Sequence, residues 1–202
     1  MIEDLKAHYR ELLLNHGDSP QSVQYSSLES QERRFDILAQ IGNLNGCRIL
    51  DFGCGTGQFY SYLSRKGIEV HYSGVDIVDE FLTLCRNKFP HGRYGKLEEF
   101  EGEMFDYIMV AGVFNNRKQD NVSFYENTIK TLFGMAARGL SFNMMSAYVD
   151  YEDEGLFYEY PEKVFAFLKQ NVTPFVNLRN DYEVKVGAPP FDFTVYAYRS
   201  GQ

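Results

Sequence analysis

This chain contains no tryptophan, and its three cysteines among 202 residues are too few to staple a fold. Cys47, Cys54 and Cys85 are odd in number and show no metal-ligand spacing, which argues against both a disulfide framework and a zinc site. No metal is expected, and the three thiols read as small buried residues of a protein kept in the reducing cytoplasm. No apolar run is long enough to span a bilayer, and the opening MIEDLKAHYR lacks the apolar centre of a signal peptide, so no membrane partner is expected. Basic residues are the scarcer charge, 20 Lys and Arg against 28 Asp and Glu, for a net charge of −8. That balance argues against a nucleic-acid polyanion as the main partner, though it leaves room for a local basic groove. Repeats and low-complexity segments are absent too. With tryptophan missing, any aromatic wall must be built from the 17 Phe and 15 Tyr.

What remains is an ordinary composition with one dense local signal. Hydrophobic residues make up 44% of the chain and charged residues 24%, which suits a single domain with a substantial core. The signal lies at residues 49–59, ILDFGCGTGQF. Ile49 and Leu50 end a buried strand and the acid Asp51 follows. Gly53, Gly55 and Gly57 then alternate with Cys54 and Thr56 before a helix begins near Gln58. Glycine reaches backbone angles closed to other residues and lets a ligand lie against bare main chain. Strand, glycine turn and helix together hold nucleotide-derived cofactors at the carboxyl ends of parallel strands.

Spacing and charge narrow the ligand. A dinucleotide fingerprint, G-x-G-x-x-G, would place its third glycine at Gln58, one residue beyond Gly57. No Lys or Arg stands anywhere in residues 49–64, so the phosphate-cradling lysine loop is absent. A carboxylate at Asp51 would repel a pyrophosphate and attract a cation. S-adenosylmethionine meets both conditions: it carries a sulfonium and an ammonium and no phosphate. Residues 51–57, DFGCGTG, resemble the first motif of the class I S-adenosylmethionine-dependent methyltransferases.

The rest of the chain alternates strands and helices. Phe59, Tyr62 and Leu63 share a helical face, and Lys66-Gly67 reads as the stop. Residues 68–76 form a second strand ending in Asp76. Asp79 and Glu80 open the next helix, whose face carries Phe81, Leu82, Cys85 and Phe89 before Pro90 ends it. Residues 93–97 and 105–111 give strands three and four. Ser123 to Glu126 spells a capping box ahead of a helix bearing Ile129, Leu132, Phe133 and Ala136, with Gly139 as its terminator. A fifth strand over 140–145 and a helix over 161–170 follow. In the tail Phe191, Phe193, Val195 and Ala197 alternate with Asp192, Thr194, Tyr196 and Tyr198, the period of a strand.

The resemblance, which extends over residues 49–199, implies an α/β fold. Its Rossmann-like seven-stranded sheet is mostly parallel, with a C-terminal antiparallel hairpin and helices on both faces. An N-terminal helical lid (1–45) would precede the S-adenosylmethionine-binding domain (46–202). It also implies cofactor contacts. Asp51, Gly53, Cys54, Gly55, Thr56 and Gly57 would form the turn against the cofactor. Asp76 would accept from the ribose hydroxyls, Ile77 would pack on the adenine, and Ala111 and Gly112 would pass under the methionine end. Where the family often holds the adenine amine with an Asp after the third strand, this chain has Lys96, which leaves Leu97 and Glu98 as the candidates. From the lid, Arg34 is the candidate for the methionine carboxylate, with Gln31 and Tyr25 beside it.

Substrate contacts are read from position alone. Val113 and Asn115 follow the fourth strand, where cofactor and acceptor should meet. Tyr148 and Tyr151 lie in YVDYEDEGLFYEY after the fifth, an acidic and aromatic stretch that favours a neutral or cationic metabolite such as a sugar derivative. Of the four histidines, His71 and His91 read as structural, and His8 and His16 belong to the lid, so no catalytic base is assigned. The expected activity is transfer of a methyl group from S-adenosylmethionine, leaving S-adenosylhomocysteine, to O or N of a small-molecule acceptor. The alternatives are a non-catalytic cofactor-binding or assembly module, and an oxidoreductase using a nicotinamide cofactor. Oligomeric state is unreadable.

Overall fold

The computed structural model describes residues 2–201. Its sheet has a central parallel pair, β1 (Arg48–Phe52) and β4 (Phe105–Val110), joined in register at Ile49–Tyr107 and Asp51–Met109. On the β1 side lie β2 (His71–Val75) and β3 (Arg93–Gly95), both parallel. On the β4 side lie β5 (Ala136–Ser146), then antiparallel β8 (Asp192–Tyr198) and β7 (Phe175–Arg179). The order is β3-β2-β1-β4-β5-β8-β7, with a two-residue strand, β6 (Tyr158–Glu159), added at the end of β5. Strand order reverses between β1 and β4, and in open α/β sheets ligands bind outside the carboxyl ends at that reversal.

Alternation along the strands sends side chains to two helical layers. Leu50, Ile108, Val110, Phe193 and Val195 meet helices α5 (Asn121–Met135) and α6 (Pro161–Asn171) through Ile129, Leu132, Val164 and Leu168. Ile49, Tyr107, Met109 and Tyr196 face α2 (Leu28–Leu38), α3 (Gln58–Arg65) and α4 (Asp79–Lys88) through Phe35, Leu38, Phe59, Leu63 and Leu82. So α2 belongs to the packed core. Helix α1 (Ile2–His16) instead lies over the carboxyl ends of the strands, where Leu5 and Tyr9 line a cleft. Among the described residues no helix is long and apolar enough to cross a membrane.

Three local readings of the sequence are corrected. Ser123 does not cap α5: Asp120 does, accepting from the Ser123 amide at 3.0 Å, so the helix starts two residues before Ser123. Gly139 does not end that helix, which stops at Met135 and passes directly into β5. Gly139 sits inside the strand because a Cβ there would lie 3.0 Å from the Ala197 carbonyl oxygen and 3.0 Å from Ile41 Cδ1. Nor does the last strand take in Phe191, which lies just ahead of β8. All seven residues of β8 are buried, and its polar positions lie beneath α2.

Candidate active site at the strand-order reversal

The glycine turn leaves β1 through two main-chain bonds. The amides of Gly53 and Cys54 both donate to the Val75 carbonyl, at 2.8 and 3.0 Å, tying the turn to the end of β2. Gly53 has φ +80°, and a Cβ on it would collide with Val113 Cγ2 across the cleft. At Gly55 a Cβ would meet Val23 Cγ1 at 2.7 Å, so the segment before α2 closes onto bare backbone. Gly57 has another task. It faces away from the cleft and lets Cys85 and Phe89 of α4 approach α3.

Two acids stand on either side of the turn. Asp76 is nearly fully buried; its Oδ2 accepts from the Gly55 amide and its Oδ1 from the Val78 amide, each at 2.9 Å. It thus braces the turn and opens α4 at once, with acceptor capacity left on each oxygen. Burial raises its pKa, and these amide bonds oppose the rise. Asp51 accepts a hydrogen bond from the Tyr72 hydroxyl, and burial pushes its pKa up to about 7 against that bond.

The opposite wall comes from the chain before β1. The Tyr9 hydroxyl donates to Gln24 Oε1 at 2.8 Å and accepts from Asn116 Nδ2 at 2.7 Å, linking α1 to the loop after β4. Burial pushes the Tyr9 phenol up to about 12, so it stays neutral. Gly112, at φ +73°, leaves space for the Tyr25 hydroxyl, 2.9 Å from where a Cβ would sit. Its amide donates to Asn143 Oδ1 at 2.9 Å. The cleft, partly open to solvent, has a volume of about 250 Å³. Four buried polar atoms on its lining residues have no hydrogen-bond partner among the described residues: Tyr25 Oη, Gln31 Oε1, Thr56 Oγ1 and Asn115 Oδ1. A buried polar atom without a partner costs about 1–3 kcal/mol, which a bound polar ligand relieves.

The cleft thus gathers Tyr25, Asp51, Gly53, Cys54, Gly55, Thr56, Asp76, Ile77, Ala111, Gly112, Val113 and Asn115. Other expected site residues lie elsewhere. Arg34 does not face the cleft: its Nε and Nη2 fork the two oxygens of Asp192 at 2.6 and 2.8 Å, with Tyr25 beneath the guanidinium. Leu97 packs against the α5–α6 core and Glu98 is exposed, because residues 97–100 turn away as a 3₁₀ helix. Lys96 reaches back to the Ile77 carbonyl at 2.9 Å and pairs with Asp79 at 2.6 Å, steadying the loop that carries Ile77. Tyr148 and Tyr151 are 58% and 76% exposed and do not line the cleft, and neither does any other residue of the acidic stretch. That stretch nonetheless abuts the site from outside: Phe157 donates its amide to the Asn115 carbonyl at 2.8 Å, and Arg117 donates its amide to the Gly155 carbonyl at 3.0 Å.

No histidine lines the cleft, and no cluster of three or more His, Cys, Asp or Glu among the described residues is placed to hold a metal. Sequence reasoning missed Tyr9, Asn116, Lys118 and Phe124. The one signal available for Tyr9 was its spacing of four from Leu5 on a single helical face.

A nucleoside carrying a cationic tail fits this lining. It offers two acids, bare main chain at Gly53 and Gly112, and unsatisfied acceptors, with no basic side chain along the glycine turn. A family model described as a methyltransferase domain matches residues 49–132, the segment that builds the turn, both acids and the post-β4 loop. These residues carry a methyltransferase domain, and the chain is similar to the class I S-adenosylmethionine-dependent methyltransferases. A putative methyltransferase of Mycobacterium tuberculosis is 28% identical over 157 residues, 73% of this chain and 90% of that protein. The magnesium-protoporphyrin O-methyltransferase of Rhodobacter capsulatus is 34% identical over 75 residues, 34% of this chain and 33% of the relative. Among solved structures, the magnesium protoporphyrin IX methyltransferase of Synechocystis with bound S-adenosylmethionine matches with TM-score 0.62 at 16% identity. That match covers 86% of this chain and 81% of the other, a likeness of fold. An S-adenosylmethionine-dependent methyltransferase of Archaeoglobus fulgidus gives 0.65 at 15%, covering 87% and 96%.

The raised pKa of Asp51 gives the methyltransferase a pH signature. Below pH 7 the acid holds a proton and offers a cationic cofactor no charge; above it, the carboxylate does. Calorimetric affinity for S-adenosylmethionine should therefore climb by up to about tenfold per pH unit between roughly pH 5.5 and 7. The climb should vanish in Asp51→Asn, and a wild-type profile that is flat in this window removes Asp51 from cofactor binding. Stability runs the other way. The folded chain keeps a proton that the unfolded chain, with the ordinary pKa of 3.8, has already lost, so raising the pH through this window weakens the empty fold.

Proposed function

We propose that this methyltransferase transfers a methyl group to an oxygen or nitrogen of a small-molecule acceptor bound at the β4 end of the cleft. The enclosure there carries the reading. Beyond Gly112 the space is bounded by Val113, Asn115 and Phe124, and the Tyr9–Asn116 and Tyr9–Gln24 bonds bring α1 across it. A cleft of about 250 Å³ partly covered by α1 suits a metabolite better than a nucleic-acid strand, in keeping with the net charge of −8.

S-adenosylmethionine, when bound, supplies an electrophilic methyl group on a positively charged sulfur. Asp76 and the Gly53–Gly55 main chain would hold the nucleoside, and Asp51 would face its cationic part. Tyr25, Gln31 and Thr56 would take polar contacts that the fold leaves open. The lining residues then exclude water and align the acceptor, and proximity with alignment can supply about 7–11 kcal/mol of the barrier. With no histidine in the cleft, the acceptor is best one that needs little help losing a proton.

Titration calorimetry with S-adenosylmethionine, S-adenosylhomocysteine and NAD tests the cofactor half of this reading. The first two should bind, and NAD should give no heat. Mass spectrometry of a metabolite extract incubated with methyl-labelled cofactor tests the acceptor half. Labelled small molecules are expected; label confined to RNA or protein would overturn the reading.

A further inference from the structure

Among the described residues the cleft is lined by one basic side chain, and the cofactor reading does not use it. Lys118 follows the Tyr9-linked Asn116 in the post-β4 loop and lines the cavity beside Phe124, Val113 and Asn115. Among the described residues no carboxylate lies within ion-pair distance of its ammonium, in contrast to Lys6, Lys66, Lys88, Lys96 and Lys163. Among the described residues its ammonium meets only the Phe124 ring, whose centroid is 4.1 Å away, a contact that favours the charged form. Half-burial pulls its pKa below the ordinary lysine range, as expected for a cation short of a counter-ion.

Strand order separates this lysine from the acids. Asp76 ends β2 and Asp51 lies in β1, while Lys118 stands beyond β4, the next strand on the other side. Nearby, the buried Asn115 Oδ1 lacks a donor and Phe124 offers an apolar face.

We propose that Lys118 binds a carboxylate of the acceptor, so that the substrate class is small organic acids with an apolar body. This rests on the methyl-transfer reading of the same cleft. A monoanion suits one lysine, and two acids already in the cavity disfavour the larger charge of a phosphate. It also suits a site without a histidine, because a carboxylate oxygen is already ionised at neutral pH. The acidic 148–160 stretch, which taken alone favours a neutral or cationic acceptor, pairs with the loop that carries Lys118 through Gly155, Leu156 and Phe157, but none of its residues lines the cavity and none of its carboxylates pairs with Lys118 among the described residues.

The test uses full-length protein saturated with S-adenosylhomocysteine, titrated by NMR with benzoate against benzamide and hexanoate against hexanamide. Each acid should bind about tenfold or more tightly than its amide. The preference should disappear in Lys118→Met and Lys118→Gln and persist in Lys118→Arg, with S-adenosylhomocysteine affinity unchanged in all three. Acid and amide behaving alike, including neither binding, would overturn the proposal. So would an acid preference that survives Lys118→Met, or a loss of S-adenosylhomocysteine affinity in that variant, which would give the lysine to the cofactor's own carboxylate. Failure of S-adenosylhomocysteine to bind wild-type protein would instead sink the underlying cofactor reading.

Discussion

Replacing Gly53 with valine is expected to abolish calorimetric binding of S-adenosylmethionine. Two costs act together at this position. The backbone is left-handed at φ +80°, which costs a residue with a Cβ about 1–2 kcal/mol. The new side chain would also fall on Val113, and overpacking of this kind costs about 1–3 kcal/mol. Relief means pushing Val113 into the cavity or pulling the turn off the Val75 carbonyl, and either change removes the surface the cofactor needs. Gly46 supplies the control. It has a similar φ of +74° but nothing within 4 Å of its added Cβ. Gly46→Ala should lower the thermal midpoint through strain alone and leave affinity untouched. If Gly53→Val keeps wild-type affinity, the main chain at this turn does not meet the cofactor.

Arg34→Ala is expected to destabilise the fold by about 3–5 kcal/mol, the cost of leaving a buried charge without its partner. Asp192 is 0% exposed and Arg34 12%, so solvent cannot replace the lost guanidinium. The pair is also a junction. Asn143 donates from Nδ2 to Asp192 Oδ2 at 2.7 Å and accepts from the Gly112 amide through Oδ1 at 2.9 Å. On the other side the guanidinium covers the Tyr25 ring. One buried network therefore ties α2 to β8, β5 and the floor of the cleft. Arg34→Lys should recover only part of the loss, since an ammonium cannot fork both carboxylate oxygens. Urea unfolding of the two variants provides the measurement. A variant with wild-type stability and weakened cofactor affinity would return Arg34 to the ligand site.

The same residue shows where sequence reading stops. An arginine on a helix ahead of the glycine motif could serve a cofactor carboxylate or an internal one. Helical periodicity places Arg34 on a face but not opposite Asp192, which lies far along the chain. Lys118 is the converse case. Nothing around it in sequence separates it from Arg117, its exposed neighbour, until the fold turns one into a cleft and leaves the other outside. The acidic run at 148–160 misleads for a related reason. It follows the carboxyl end of β5, yet it packs on the outer side of the post-β4 loop, through the Asn116–Leu156 bridge, and none of its residues lines the cavity.

Residues 49–59 by themselves determined the fold class and the chemical character of the cofactor. A tight turn of alternating glycines and the acid ahead of it are local requirements, written in adjacent positions. The strand and helix periods likewise laid out the order of elements, because both are local, while the mostly parallel sheet was implied by the resemblance of residues 51–57. Only the tertiary structure decided which glycines line the cleft, that Arg34 pairs with Asp192 in the core, and that Lys118 lines the cleft. These depend on which distant side chain arrives first to neutralise a charge or fill a space. That outcome is set by strand order, which brings β8 beneath α2 and carries the post-β4 loop to the far side of the site.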